Sequence, residues 1–438
     1  MQELVYRDYG DFFVAYSSHS KSYLLIEDVF CDFFRLNYVN GLSPAETVET
    51  VAAEYSVDKE IVHHDFLRFC SEMEEALLNN TSRSDSGSPS KDTVRQHIFN
   101  KMSDLTIPFS ATIEITDSCN LNCIHCYRGL PTASYWTESR FLNALNELKD
   151  LGTLHLTITG GEPLAHPLFI RFLEITEKLG FVVSIQSNLL LLDDNVISLL
   201  KRNVINDVSV SLYSTDEREH DSITQSCGSM LKTKKNIERL IENGIPVSIN
   251  CPVMTVNKST MADMRQYAKS LGVDVKFALK IIPSQDKNKD IEVLNVFSKD
   301  FILTAMRDPN IELYKNELMN IRVGKPGERY CQTGFRSITF DAQGNMLICN
   351  AYRKPCGSLN NTGIEELWNH SPALKCWREQ TSLVREKCKK CPAYAYCEPC
   401  PAHFYTQSGN ETGIDELTCQ FGKAFYAADK EFLGKEVK

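Results

Sequence analysis

The chain has 438 residues, of which 42% are hydrophobic and 24% charged, a globular composition that predicts two or three domains. Its formal net charge of -10 argues against a nucleic-acid partner, because phosphate binding needs clustered Lys and Arg. No apolar run has the length that a bilayer requires, and Met1 to Gly10 carry no basic segment followed by an apolar one, so we expect a cytoplasmic protein with no membrane partner.

Residues 1–80 predict a small unit of strands followed by helices. Strand patterns begin near Leu4, Phe12 and Tyr23, and helical patterns begin near Val29, Pro44 and Asp58. The polar run NNTSRSDSGSPSKD at 79–92 offers no apolar side chain for burial. We therefore predict a linker over 81–106.

The region 107–320 alternates short β-branched runs with helical stretches. Six runs recur, at 112–116, 153–159, 182–186, 208–212, 247–253 and 275–281. Repeated strand and helix units predict an α/β fold with a parallel sheet or barrel. Active sites of such folds lie at the carboxyl ends of the strands.

Three cysteines, Cys119, Cys123 and Cys126, follow the first of these runs. Sixteen cysteines in a chain without an export signal indicate metal ligation, since a reducing cytosol prevents lasting disulfides. Three thiolates on one loop would leave one iron of a [4Fe-4S] cubane open for a ligand other than protein. A zinc site with His125 as fourth ligand, or three buried thiols, are the alternatives.

A second motif, Gly160-Gly161-Glu162-Pro163, follows the next run. Two glycines permit close backbone approach, and the carboxylate of Glu162 stands at a turn where a cationic amino group could dock. Alone, this tetrapeptide is also compatible with an ordinary turn.

Together the two motifs resemble those of the radical S-adenosylmethionine (SAM) superfamily, whose fold is a partial (β/α)6 TIM-like barrel. The resemblance covers about Ile107 to Pro283. It implies that the open iron chelates SAM and that reductive cleavage yields a 5′-deoxyadenosyl radical. The SAM-contacting residues that it implies are Tyr127, Gly160, Gly161, Glu162, Pro163, Ser187, Asn188 and Ser211. The family often has Asn-Gly after the third strand, whereas here Leu189 follows Asn188.

Region 321–438 is rich in cysteine, and its spacing resembles the SPASM extension of radical SAM enzymes, which holds two auxiliary [4Fe-4S] clusters. The resemblance implies an outer cluster on Cys388, Cys391, Cys397 and Cys419 and an inner cluster on Cys331, Cys349 and Cys400. Two residues separate Cys397 from Cys400, one fewer than in the commonest family pattern. The inner cluster then lacks a fourth ligand, for which Cys356 or a substrate thiolate is a candidate. A zinc ribbon is the alternative for the run that begins at Cys388.

The first 80 residues resemble a winged-helix-like PqqD-type recognition element, which binds leader peptides of ribosomally made precursors. The matching segments are Tyr23 to Ile26, Gly41 to Glu46 and Tyr55 to Asp58. The implied partners are a precursor peptide, bound through its leader, and a flavodoxin- or ferredoxin-like electron donor.

These resemblances imply a peptide maturase that holds SAM and three [4Fe-4S] clusters, one SAM-binding and two auxiliary. We expect an intramolecular crosslink, with a thioether as first choice and a carbon–carbon bond as second. A sulfatase-maturase type of enzyme, a peptide epimerase and an iron–sulfur electron carrier are the competing interpretations.

Overall fold

The computed structural model describes residues 4–78, 91–129, 132–286, 289–311, 313, 331–380, 388, 390–397, 400–410 and 416–436. In this part of the chain the strands are β1 (Leu4–Asp8), β2 (Phe12–Ser17), β3 (Ser22–Glu27), β4 (Ser110–Glu114), β5 (His155–Thr159), β6 (Val182–Ser187), β7 (Val204–Ser211), β8 (Val247–Pro252), β9 (Asp274–Ala278), β10 (Ser337–Phe340), β11 (Asn345–Cys349) and β12 (Tyr352–Ser358). The α-helices are α1 (Val29–Phe33), α2 (Pro44–Tyr55), α3 (Lys59–Leu78), α4 (Lys91–Asp104), α5 (Glu138–Asp150), α6 (Phe169–Leu179), α7 (Asp194–Arg202), α8 (Glu217–Thr224), α9 (Ser229–Glu242), α10 (Met261–Leu271), α11 (Lys299–Arg307), α12 (Ile364–His370), α13 (Pro372–Gln380), α14 (Pro401–Ser408) and α15 (Glu416–Glu436).

The N-terminal unit is an antiparallel sheet in the order β1-β2-β3, followed by helices α1 to α3. Its strands and helix starts agree with the predicted positions. Helix α2 begins with a capping box, in which the Ser43 hydroxyl accepts from the Glu46 N–H and the Glu46 carboxylate accepts from the Ser43 N–H. Such a box satisfies two backbone donors that the first turn leaves unpaired.

Helix α4 corrects the linker predicted over 81–106. Residues 91–104 are helical, and Ile98 and Met102 on one face are fully buried. These two side chains, four positions apart, pack into one core with the N-terminal sheet and with Phe109. The polar run at 79–90 lies outside the described residues.

The central sheet has the strand order β12-β11-β10-β4-β5-β6-β7-β8-β9. Strands β4 to β9 are parallel and correspond to the six predicted runs. On the other side of β4, strand β10 pairs in parallel with it and β11 and β12 continue antiparallel. These three strands of the C-terminal region, which were not predicted from the sequence, therefore extend the same sheet.

Amphipathic helices cover this sheet. In α5, the Thr137 hydroxyl caps the first turn, and Phe141, Leu145 and Leu148 follow at spacings of four and three residues. All three are fully buried in the main core. Burial of each such side chain contributes about 1.5–3 kcal/mol, so the packed face rather than intrinsic propensity holds the helix.

The N-terminal unit docks on the amino ends of the parallel strands. Arg7 is buried and donates from Nε to the Thr153 carbonyl at 2.7 Å and from Nη2 to the Gly180 carbonyl at 2.9 Å. The Tyr23 hydroxyl lies 2.6 Å from Nε2 of His155, the first residue of β5. The carboxyl ends of β4 to β9, where catalysis is expected, consequently face away from this unit.

No helix in the described residues is both long enough and apolar enough to cross a membrane.

Candidate active site

The cysteine loop lies at the carboxyl end of β4. Two backbone hydrogen bonds fix it to the end of α8, from the Asn122 N–H to the Thr224 carbonyl at 3.3 Å and from the Ile124 N–H to the Ile223 carbonyl at 2.9 Å. The loop is thus held between the first and fourth strands of the parallel series, as catalytic loops of such folds are.

The three thiols of this loop are close enough to act on one another. Burial first, and then the neighbouring sulfurs of Cys126 and Cys119, together raise the pKa of Cys123 to about 12. Burial also raises the pKa of Cys119. Protein alone therefore disfavours three thiolates here, whereas bound iron would supply the positive charge that stabilises them. The donor set fits an iron–sulfur cluster.

His125, the candidate fourth zinc ligand, packs edge-on against Tyr213 with ring centroids 4.6 Å apart. Burial lowers the pKa of His125 to about 4, so the imidazole is neutral. Among the described residues, no three His, Cys, Asp or Glu side chains form a group that could hold a single metal ion. In a cubane, by contrast, each cysteine binds its own iron.

The glycines of the second motif bring the end of β5 against the base of the cysteine loop. The Gly161 N–H donates to the Thr116 carbonyl at 2.8 Å, and the Glu162 N–H donates to the Ser118 carbonyl at 2.9 Å. A Cβ at Gly160 would lie 2.3 Å from the Thr116 oxygen, and one at Gly161 would lie 2.1 Å from the Ser118 oxygen. Neither position accepts a side chain, so the expected close approach is confirmed, with the cysteine loop as the neighbouring backbone.

Glu162 is only 1% exposed and anchors the turn after β6. Its Oε1 accepts from the Ser187 hydroxyl at 2.6 Å, and its Oε2 accepts from the Asn188 N–H at 2.8 Å. Oε1 also accepts from the Leu164 N–H in the short turn that the buried Pro163 begins. Burial raises the pKa of Glu162 to about 7, against the lowering effect of these donors.

The turn after β6 shows how Leu189 occupies the position where the family often has glycine. This residue has φ of 62°, a left-handed conformation that glycine adopts without strain. Its buried side chain and two hydrogen bonds hold it there, since its N–H donates to the Ser187 hydroxyl and its carbonyl accepts from Asn236. Asn188 donates from Nδ2 to the side-chain Oδ1 of Asn120 at 2.8 Å. Asn120 is the chain neighbour of Cys119.

Ser211 and Tyr127 are the two remaining residues of the predicted SAM site. Ser211 ends β7 and hydrogen-bonds to the side chain of Tyr213, whose hydroxyl also contacts Cys123. Burial, followed by the nearby Glu114 carboxylate, raises the pKa of Tyr127 to about 12. Sequence reasoning missed Tyr213, although its place directly after a strand end marks it as a residue to inspect.

A buried ion pair that sequence reasoning also missed links the cysteine loop to β12. Arg353 Nη1 lies 2.7 Å from Oε1 of Glu114, the last residue of β4, and Arg128 Nη1 lies 3.5 Å from Oε2. Burial lowers the pKa of Arg353, but the Glu114 carboxylate more than offsets this and leaves it raised. No sequence signal connects positions 114 and 353, because only the β10–β4 pairing brings them together.

Three C-terminal thiols lie close enough to Cys397 to influence its pKa. Burial first, and then Cys419, Cys388 and Cys391, together raise the pKa of Cys397 to about 12. Gly422 on α15 permits this approach, since a Cβ there would lie 3.1 Å from the Cys397 Cβ. This group is the one implied for the outer cluster.

Three other thiols form a second group. Burial first, and then the neighbouring Cys400 and Cys331, together raise the pKa of Cys349 to about 12. Burial raises the pKa of Cys356 to about 11, and the charges of Lys354 and Arg378 act in the opposite direction. Cys356 and a substrate thiolate both stay predicted candidates for the fourth ligand of this group.

Comparisons with known proteins agree with this division. A model of the radical SAM superfamily matches residues 113–268, and a model of an iron–sulfur cluster-binding domain, SPASM, matches residues 331–401. The chain is 28% identical over 304 residues to the antilisterial bacteriocin subtilosin biosynthesis protein AlbA of Bacillus subtilis (strain 168), covering 67% of each chain. It is 22% identical to the sporulation killing factor maturation protein SkfB of the same organism, covering 72% of this chain and 75% of SkfB.

Among solved structures, SuiB of Streptococcus suis bound to its precursor peptide SuiA aligns with a TM-score of 0.64 and 14% identity, over 95% of this chain and 99% of SuiB. At this identity the likeness concerns the fold alone. The two family matches fall on the sheet with its cysteine loop and on the C-terminal thiols, so residues 113–268 match a radical SAM domain and residues 331–401 match a SPASM iron–sulfur cluster-binding domain.

Proposed function

We propose that this enzyme matures a ribosomally made precursor peptide by installing an intramolecular crosslink, a thioether in the first place and a carbon–carbon bond in the second. The similarity to two proteins named for bacteriocin biosynthesis and killing-factor maturation supports a peptide substrate. The fold shared with SuiB, solved with its precursor peptide, supports it too. The working division is a recognition unit at 1–80, a core at 107–320 and an auxiliary region at 321–438.

In this proposal Cys119, Cys123 and Cys126 hold the SAM-binding [4Fe-4S] cluster. When reduced, that cluster supplies the electron that cleaves SAM to methionine and a 5′-deoxyadenosyl radical, which takes a hydrogen atom from the peptide. Glu162, with the Gly160–Gly161 backbone, holds the methionine amino group. Tyr127, Ser187, Asn188 and Ser211 contact the remainder of SAM, and the surrounding buried side chains exclude water.

The choice of a thioether rests on the inner group of thiols. In this proposal Cys331, Cys349 and Cys400 hold the inner cluster. The influence of Cys400 and Cys331 on the pKa of Cys349 supports this set, whereas the charges that influence Cys356 are those of Lys354 and Arg378. An inner cluster with three protein ligands leaves one iron for a substrate thiolate. A thioether forms with loss of two hydrogens: one goes as a hydrogen atom to the 5′-deoxyadenosyl radical, and the thiol releases the other as a proton to solvent, while the electron left when the S–C bond forms would pass to the auxiliary clusters. The outer group, Cys388, Cys391, Cys397 and Cys419, supplies four ligands for a second auxiliary cluster.

The N-terminal unit is proposed to capture the leader as a PqqD-like element does. Strands β1 and β3 are the two edges of its sheet. An edge strand can pair with an extended peptide through main-chain hydrogen bonds, which gives affinity without a deep pocket. In the proposed setting, the enzyme works in the cytoplasm with a flavodoxin- or ferredoxin-like donor.

Anaerobic reaction of the reconstituted enzyme with SAM, dithionite and a cysteine-containing precursor encoded beside it tests this function. We expect 5′-deoxyadenosine, a peptide lighter by two hydrogens per crosslink, and one fewer alkylatable thiol per crosslink. A mass loss with all thiols still alkylatable would indicate a carbon–carbon bond, and an unchanged mass in ordinary water would indicate epimerisation or no reaction.

Two single substitutions separate the roles of the inner thiols. Cys349→Ala should still form 5′-deoxyadenosine but no thioether. Cys356→Ala, the matched control, should keep both activities and the full iron content. Equal loss of the crosslink in the two variants would contradict the assignment of the inner site. Replacing Cys119 with Ala should abolish 5′-deoxyadenosine.

A further inference from the structure

The outer face of α9 and the turn after β6 form a surface groove near the cysteine loop. The groove has a volume of about 490 Å³ and is lined by Leu192, Leu231, Lys232, Lys235 and Arg239. Leu231 is 55% exposed. Leu231 is therefore the exposed apolar side chain of a groove whose other exposed long side chains are cationic.

The charge of this groove opposes that of the whole chain. Helix α9 carries four cations and two carboxylates, whereas the chain has a net charge of -10. Lys234 turns away to lie 4.2 Å from the centroid of the Tyr267 ring, and Arg239 pairs with Asp194 at 2.5 Å. Lys232 and Lys235 are exposed, and within the described residues neither forms an ion pair with a carboxylate. They give the groove a cationic rim.

The inner face of the same helix is connected to the cysteine loop. Thr233 donates from Oγ1 to the Asn188 carbonyl at 3.0 Å, and Asn236 donates from Nδ2 to the Leu189 carbonyl at 2.8 Å. Asn188 in turn donates to Asn120, the neighbour of Cys119. One helix and one hydrogen-bonded turn therefore separate the groove from the thiols of the SAM site.

We propose that this groove docks an acidic one-electron donor protein of the flavodoxin or ferredoxin class, which reduces the cluster held by the cysteine loop. The proposal rests on the radical SAM activity proposed above. Each turnover takes one electron from the reduced donor, and that electron breaks the sulfonium C5′–S bond to leave methionine and the 5′-deoxyadenosyl radical. Electron-transfer partners bind weakly through small interfaces, and opposite charges at the rim speed their encounter.

Charge reversal at the rim tests the site in the full reconstituted enzyme. The double variant Lys232→Glu/Lys235→Glu is compared with Lys178→Glu/Lys201→Glu, which makes the same charge change on exposed residues at the amino end of the sheet. Formation of 5′-deoxyadenosine is measured with reduced bacterial flavodoxin and, separately, with dithionite. We expect the flavodoxin-driven rate of the α9 variant to fall about tenfold at low salt, with the dithionite-driven rate and the control variant unchanged.

A flavodoxin-driven rate equal to that of the control variant would overturn the proposal. So would an unchanged flavodoxin rate with a raised KM for the precursor under dithionite, since the groove would then bind the peptide. If the α9 variant loses dithionite-driven activity, carbodiimide crosslinking of the wild-type enzyme to flavodoxin tests the site instead. Adducts at Lys232 or Lys235 support docking at the groove, and adducts elsewhere overturn the proposal. Absence of 5′-deoxyadenosine from wild type with dithionite would instead refute the enzymatic function.

Discussion

At the scale of single residues, Glu162 combines burial with a role at the site. Its carboxyl group is closed off from solvent and accepts from Ser187, Asn188 and Leu164, yet burial still raises its pKa to about 7. A carboxyl with a raised pKa is uncharged below that value and charged above it. Binding of an ammonium group by Glu162 must then depend on pH in the neutral range.

We predict that SAM affinity rises with pH up to about 7, by up to about tenfold per unit, because only the carboxylate attracts the SAM amino group. Glu162→Gln should lower the affinity by roughly 10- to 100-fold above pH 7 and remove the pH dependence, since a charged hydrogen bond contributes about 1.5–3 kcal/mol. Equilibrium dialysis with SAM between about pH 5.5 and 7.5 measures both effects. The exposed Glu138→Gln is the control, and a wild-type profile without slope would contradict the assignment.

Lys280, a residue of the core region, influences the pKa values of two C-terminal thiols through its charge. Its Nζ donates to the Thr418 hydroxyl at 3.1 Å, and the Thr418 carbonyl in turn lies 3.8 Å from the Cys397 sulfur. Burial raises the pKa of Cys397 and that of Cys400, one thiol from each C-terminal group, and the positive charge of Lys280 opposes this rise at both. One cation thus influences both proposed auxiliary clusters.

We predict that Lys280→Met makes the midpoint potentials of both auxiliary clusters more negative, because a nearby cation stabilises the reduced cluster. Lys280→Arg should keep them close to wild type. A redox titration followed by electron paramagnetic resonance measures the potentials, with the SAM-binding cluster as internal reference. Identical auxiliary potentials in the Met and Arg variants would show that the charge has no such role.

At the scale of elements, α15 carries a packing requirement for the outer thiols. Gly422 faces Cys397, and an added Cβ would lie 3.1 Å from its Cβ and 3.2 Å from its Cα, so the helix or the cysteine must move. Gly434 on the same helix has nothing within 4 Å of an added Cβ. The two glycines form a matched pair for substitution.

We predict that Gly422→Ala reduces the iron content from roughly twelve to roughly eight atoms per chain, four for each cubane, and costs about 1–3 kcal/mol of stability through overpacking. Gly434→Ala should keep all the iron and be neutral or slightly stabilising. Iron analysis and thermal unfolding under anaerobic conditions check both variants. Full iron in Gly422→Ala would remove Cys397 from the proposed ligand set.

Several elements could be predicted from sequence, because the signal for each lies within a short stretch of the chain. Strands β4 to β9 each combine a β-branched apolar run with a following helix of period 3.6, and both signals are contained within a few residues. Helix α4 was missed because its two buried side chains, Ile98 and Met102, depend on a partner core far away in the chain. Strands β10 to β12 were missed for the same reason, since their place is set by pairing with β4.

The site divides in the same way. The cysteine loop and the glycine turn were predictable because each carries its chemistry within a short stretch of sequence. The ion pair between Glu114 and Arg353, the Tyr213 side chain above Cys123 and the left-handed Leu189 were not predictable. Each of these follows from tertiary contacts that no local pattern encodes.

At the scale of the whole molecule, the recognition unit and the cysteine loop lie at opposite ends of one sheet. The unit contacts Thr153, His155 and Gly180 at the amino ends of β5 and β6, while the loop follows the carboxyl end of β4. The N-terminal unit and the central sheet share a buried core, because Leu154 and Val182 are buried with the N-terminal sheet. In the proposed function, a leader bound to this unit therefore cannot swing toward the cysteine loop, so the peptide itself must cover the distance.

The length of the longest parallel strand sets the scale of that distance. The longest parallel strand, β7, has 8 residues, which at about 3.3 Å per residue span about 26 Å. A precursor held at the N-terminal unit thus needs a spacer of roughly eight extended residues between its leader and the first modified residue. We predict that shortening the spacer to about four residues abolishes crosslinking while leader affinity is unchanged, and that Gly-Ser insertions restore it. Mass spectrometry and fluorescence anisotropy of the same peptide series measure the two properties, and efficient crosslinking with the short spacer would mean that the leader binds elsewhere or to a second copy of the enzyme.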